Sequence, residues 1–244
     1  MHSIVLSERI PAVRSAIATT LFALSLSALP CTAGAQTNRI YLAPDDHTDY
    51  LWSGTAADYE QWIPQMIDHY LDLNDATANN AEPYRSKWNC DGWYWVDIYK
   101  RNRPAAQFDR LIAQLQSGQM TVPLNGLVTT YGGNTTEGVI RGSYYAGKLQ
   151  RQYGIDIPVA ISMENQTMPL GLASLWAGMG AKYSWKGVCG CATQTPGLNQ
   201  RSHEIYKYTG LDGSNVLMKW YSLTYNQGLG GYAEAFVPNT AVDQ

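Results

Sequence analysis

Short apolar, β-like runs alternate with stretches whose apolar residues recur every three to four positions, and this alternation confines the chain to the α/β class. The β-like runs fall at 39–43, 86–99, 121–130, 157–161 and 182–188, the second continuing into a loop and the third broken by Asn125-Gly126. Tyr59, Trp62, Ile63, Met66, Ile67, Tyr70 and Leu71 predict a first helix, capped by Ser53 or Thr55 and kinked or restarted at Pro64. His69 falls on its polar side and reads as solvated. Phe108, Leu111, Ile112 and Leu115 predict a second helix, stopped at Gly118. Asn134 or Thr135 opens a third that runs to Gly154, and 170–177 forms a fourth, closed by Gly178. Leu211-Asp212-Gly213-Ser214, between the runs 204–208 and 216–221, predicts a hairpin.

Strands joined by helices run parallel, and their carboxyl ends gather where α/β enzymes keep their chemistry. That gives weight to Asp45-Asp46-His47-Thr48-Asp49, set directly after the run 39–43. Residues two apart in extended backbone face the same way, so Asp45, His47 and Asp49 converge while Asp46 and Thr48 turn aside. Two hard oxygens and an imidazole suit a divalent cation, zinc first. The competing reading is a polar turn with solvated acids.

The formal net charge of -3 over 244 residues suits one domain and gives no basic excess for nucleic acid or a membrane surface. Rings with polar tips dominate the aromatics, 8 Trp and 17 Tyr against 3 Phe, a bias compatible with a flat, wet sugar site. Arg9 and Arg14, the apolar stretch 16–29 and Ala33-Gly34-Ala35 read as a signal peptide over 1–35, cleaved before Gln36. The mature chain, 36–244, is expected to be exported, periplasmic or secreted, with no membrane span after signal removal. Cys31 leaves with the signal. Cys90 then remains with Cys189 and Cys191, which allows a disulfide from Cys90 to either, or a second metal site from Cys189, Cys191 and His203.

Read in order, these features are similar to glycoside hydrolase family 38, the α-mannosidases. The run 44–52 carries the family's His-x-Asp-x-x-Trp pattern as His47, Asp49 and Trp52. Gly118 to Val122 resembles the family's helix stop and following strand. Ala160-Ile161, with Thr167-Met168-Pro169 and Ala177-Gly178, resembles its nucleophile segment, and 208–214 its later hairpin. The resemblance covers about Arg39 to Tyr221. It implies a (β/α) barrel of the glycoside hydrolase/deacetylase type. It also implies zinc held by His47 and Asp49, a glycan or oligosaccharide substrate, and a retaining reaction with a carboxylate nucleophile.

Ser162 stands where the family has its nucleophile Asp, so Glu164 is the candidate nucleophile or third ligand. Asp91 and Tyr131, with Asn134, are cleft-edge candidates for substrate binding, as is Trp52. Asp45 either binds the metal or orients the His47 ring. The family's acid/base carboxylate and late zinc-binding His lie beyond this chain. The barrel is therefore expected to be incomplete at the C-terminus, a fragment or truncated reading frame. Two alternatives stand beside the mannosidase-like hydrolase. One is a degenerate, non-catalytic glycan-binding relative, which Ser162 fits. The other is a metal-dependent carbohydrate deacetylase, suggested by Asp45-Asp46 but lacking the following His pair.

Overall fold

The computed structural model describes residues 43–45, 48–127, 129–162, 167–186, 203 and 205–220. The signal segment, His47, Glu164, Cys189 and Cys191 lie outside the described residues.

The first helix, α1 (Ala56–Thr77), begins at a capping box, so Thr55 is its cap. Asp58 N donates to Thr55 Oγ1 at 3.3 Å, and Thr55 N donates to Asp58 Oδ2 at 2.8 Å. Pro64 lies inside α1 without interrupting it, so the expected restart is absent. The buried face of Ile63, Ile67 and Leu71 outweighs the one backbone bond that proline removes.

The aromatic stretch 86–99 departs from expectation. Only β1 (Trp88–Asn89) is strand, and α2 (Trp93–Asn102) follows at once. Trp95, Val96, Ile98 and Tyr99 are all buried at helical spacing, and that packing overrides the β preference of aromatic and branched side chains. The helix α3 (Ala105–Ser117) ends at Gly118, whose φ of 75° only glycine adopts without strain. The run 121–130 shrinks to β2 (Met120–Thr121).

The third predicted helix is two, α4 (Thr136–Arg141), capped by Thr135, and α5 (Tyr144–Tyr153), parted at Gly142 and Ser143. There follow β3 (Val159–Ile161), α6 (Leu172–Gly178), β4 (Tyr183–Lys186), β5 (Ile205–Thr209) and β6 (Asn215–Trp220). The β5–β6 hairpin turns at Asp212-Gly213, with Gly213 at φ 82°.

By pairing, β1-β2 form one sheet and β3-β4-β6-β5 another. Asp45 bridges Asn89 in parallel, and Leu124 N donates to Val159 O at 2.9 Å, so the two sheets follow one another in a single arc. Every pairing in that arc is parallel except the β5 edge. Carboxyl ends therefore share one rim. The expected (β/α) barrel is not seen among the described residues, because the sheets are small and not closed. Strands of two residues offer little ladder to extend, and the antiparallel β5 lies where a parallel barrel strand would continue the series.

The core runs beneath the arc. Trp88 stacks on Tyr70 at 4.5 Å and tilts onto Trp95 at 5.1 Å. On the outer surface α1 is tied to α2 and α3 by charge, Glu60 to Arg101 and Asp68 to Arg103, with Asp72 and Asp75 sharing Arg110.

Candidate functional site

Buried polar side chains concentrate at the carboxyl rim. Asp91, Asn125, Ser162 and Lys186 follow or end parallel strands, Thr48 comes after the Asp45 bridge, and all five are buried. A polar group out of water needs partners, so such a concentration marks where the fold has been built around polar chemistry.

Asp91 is 1 % exposed and sits just past β1. Its Oδ2 accepts the Thr48 N–H at 3.0 Å, while Thr48 Oγ1 accepts from Trp95 Nε1 at 2.7 Å. Thr48 is thus tied both to Asp91, past β1, and to Trp95 on α2. Beside it, α2 opens against the neighbouring loop, with Trp93 N donating to Asn125 O and Tyr94 N to Gly126 O. A Cβ on Gly92 would lie 1.8 Å from Gly126 O, so that approach admits only glycine.

Asn125 joins the two sheets. Its Oδ1 accepts from Ile161 N at 2.9 Å and its Nδ2 donates to Ile161 O at 2.5 Å. The side-chain amide thereby does what a peptide group does across a β-ladder. Tyr131, 5 % exposed, braces the arrangement, its hydroxyl against the Asn125 amide and 3.2 Å from Ile161 O. Burial holds the Tyr131 phenol far above its ordinary pKa, so it stays protonated and donates.

Ser162 is fully buried, with N and Oγ both donating to Trp185 O, at 3.1 and 2.9 Å. At this position the hydroxyl seals a strand end. Lys186, 3 % exposed, ends β4.

The Asp49 turn is tightly specified. Trp52 N and Ser53 N donate to Asp49 O at 2.9 and 3.0 Å, and Ser53 Oγ donates to Asp49 Oδ2 at 3.1 Å. Leu51 takes a φ of 63°, uncommon for a residue with a Cβ, and costs about 1 kcal/mol or more. That twist leaves Trp52 88 % exposed at the tip. Below lies Tyr59, buried against Tyr50 at 5.3 Å between ring centres. Its phenol is raised above the ordinary range, first by burial and then by the Asp49 charge, with the Asp91 charge adding to it and a Ser53 hydrogen bond opposing.

Of the residues singled out from sequence, Asp91 holds the N–H of Thr48, the residue before Asp49. Trp52 is on the outer tip of the same turn, and Tyr131 is on the far side of Asn125, bound to β3. His47 and Glu164 lie outside the described residues, as do both partners proposed for Cys90, which is itself buried. Of the two expected zinc ligands, Asp49 is described and His47 is not. Among the described residues no three His, Cys, Asp or Glu side chains gather into a metal group. Reading the sequence missed Asn125, Ser53, Tyr59 and Lys186. Asn125 was visible only as a break in a strand, and Lys186 only as one charge closing an aromatic run.

No family model and no curated protein matches the chain. Among solved structures it is similar to an α-mannosidase from Enterococcus faecalis V583, with a TM-score of 0.58 and 13% identity over 76% of this chain. It is also similar to a protein in glycosyl hydrolase family 38 from Enterococcus faecalis, with a TM-score of 0.52 and 13% identity over 75% of this chain. The chain spans about a fifth of the length of each, 20% and 18%. At such identity the likeness is one of fold, a mixed α/β arrangement shared with glycoside hydrolase structures.

Proposed function

We propose that this chain carries a zinc-dependent glycoside hydrolase site, α-mannosidase-like, acting on mannose-containing or related glycans with retention. The observation that supports it is the bond from Thr48 N to Asp91 Oδ2 at 3.0 Å, which ties the neighbour of Asp49 to the carboxyl end of β1, in a fold similar to that of an α-mannosidase structure. His47 and Asp49 are the residues that would hold zinc. When bound, the metal supplies a Lewis acid that orients adjacent sugar hydroxyls. Asp91 holds the N–H of Thr48, the residue before Asp49. Trp52 offers an exposed ring face for a sugar. Glu164 is the carboxylate proposed to attack the anomeric carbon, the leaving oxygen taking its proton from an acid this chain does not assign. The signal-like start supports export, to the periplasm or outside the cell.

The test is sugar release from a panel of mannose-containing glycans, with zinc content measured on the same protein. His47→Ala is expected to lose the metal, and Glu164→Gln to lose turnover while keeping it. A wild-type protein that takes up no zinc overturns the hydrolase reading.

One observation favours a non-catalytic glycan-binding relative. Ser162, where the resemblance expects a nucleophile Asp, is closed off and committed to Trp185 O. Glycan binding without turnover, unchanged in Glu164→Gln, would select that reading.

A further inference from the structure

The geometry points to a second binding site, a cavity of about 200 Å³ between the loop after β2, the α4–α5 junction and α6, suited to one uncharged, hydroxyl-bearing ring of monosaccharide size. The inference goes beyond the metal reading above and does not depend on it, since neither Asp49 nor Asp91 lines the cavity.

Size sets the first limit. Sites for drug-sized ligands run to about 300–1,000 Å³, so this one takes a single ring rather than a chain of them. Charge sets the second. Asn125, Thr129, Asn134 and Ser143 supply polar lining, and none of the described residues around the cavity carries a charge. A carboxylate or ammonium entering there would lose water and gain no counter-charge. Amides and hydroxyls both donate and accept, as does each hydroxyl of a sugar. The apolar lining is Leu124, Val139, Trp176 and Met179, with Trp176 and Tyr131 packed edge to face at 5.4 Å between ring centres. Such walls suit the C–H faces of a saturated ring, whereas a wholly apolar ligand would strand the amides and hydroxyls. The walls are also held in place. Trp93 Nε1 donates to Gly142 O at 2.6 Å, and a Cβ on Gly126 would lie 2.9 Å from the Trp93 ring, so one indole braces two sides of the cavity. Asn134 Nδ2 donates to Thr130 O at 2.9 Å, and Ser143 Oγ to Ile140 O at 2.7 Å. Little is then lost to ordering on binding.

The experiment is calorimetric titration of metal-stripped protein with methyl α-mannoside and methyl β-glucoside, and with glucuronate and glucosamine as charged counterparts. The neutral sugars are expected to bind and the charged ones to bind more weakly. Gly138 lines the cavity from within α4, where leucine is the better helix former, so Gly138→Leu should fold and bind roughly tenfold or more weakly. Asn134→Ala should bind about 3- to 10-fold more weakly, the share of one hydrogen bond, and it decides alone if Gly138→Leu does not fold. No binding of either neutral sugar to wild type, wild-type affinity in either folded variant, or tighter binding of a charged sugar would overturn the site. Binding that needs added zinc and is lost in Asp49→Ala would place the sugar at the metal, overturning this site while the metal reading stands. A protein that takes up no zinc yet binds neutral sugars as expected keeps this site and loses the hydrolase reading.

Discussion

The side-chain amide of Asn125 pairs with the backbone of Ile161 from both ends, Oδ1 to N at 2.9 Å and Nδ2 to O at 2.5 Å. It joins two short sheets at the rim where the polar residues collect. Without it, the Ile161 N–H would be buried without its acceptor, and the Ile161 C=O would keep the Tyr131 hydroxyl.

Asn125→Ala should therefore destabilise the protein by about 1–3 kcal/mol, the cost of one buried N–H left unsatisfied. Asn125→Asp should cost a similar amount, because a carboxylate accepts from Ile161 N but repels Ile161 O. Urea unfolding of both variants measures this. A loss under about 0.5 kcal/mol in either would show that the sheets are joined by something else.

Gly92→Ala places a Cβ where Gly126 O already lies, 1.8 Å away. Backbone cannot step aside as a side-chain end can. The expected loss is about 3 kcal/mol or more, read from the same urea curves, with the α2 start displaced from Asn125.

Asp91→Ala leaves the buried Thr48 N–H without its acceptor and should cost about 1.5–3 kcal/mol, the range for bonds to charged groups. It also removes one of the charges raising the Tyr59 phenol, so that phenol should titrate at lower pH than in wild type. Ultraviolet titration of Tyr59 against a Tyr59→Phe control reads the shift. No change in that titration would place Asp91 away from Tyr59.

Alkaline pH should weaken the fold. Burial raises Tyr131, and raises Tyr208 from 10.0 to about 12. A phenol with a higher folded pKa keeps its proton when the unfolded chain has released its own. The folded state then binds more protons than the unfolded above pH ~10, and stability falls as pH rises through the folded values. Stability should be flat below pH ~10 on this account and decline from there toward pH 12. Tyr208→Phe should flatten that decline. An unchanged slope would show that Tyr208 titrates alike in both states.

Trp52→Ala should leave stability within about 0.5 kcal/mol, because the ring is 88 % exposed. Glycan affinity should nevertheless fall by about tenfold, corresponding to about 1.4 kcal/mol of lost stacking. Calorimetric titration with a mannose oligosaccharide checks it. Unaltered affinity would remove Trp52 from the sugar site.

The sequence by itself determined the local grammar of this protein. Helix periodicity placed α1, α3 and α6, Gly118 marked a stop because a positive φ is needed there, and Asp212-Gly213 marked the hairpin. Those signals are carried by neighbours a few residues apart. The tertiary structure alone decided that the aromatic run after Trp88 is helix, since burial of Trp95, Ile98 and Tyr99 depends on what packs against them. It also decided which polar residues meet. Thr48 reaches Asp91 and Asn125 reaches Ile161 only because parallel strands bring distant segments to one rim. No local pattern encodes a contact across 36 or 43 residues, because its energy exists only once both strands are in place.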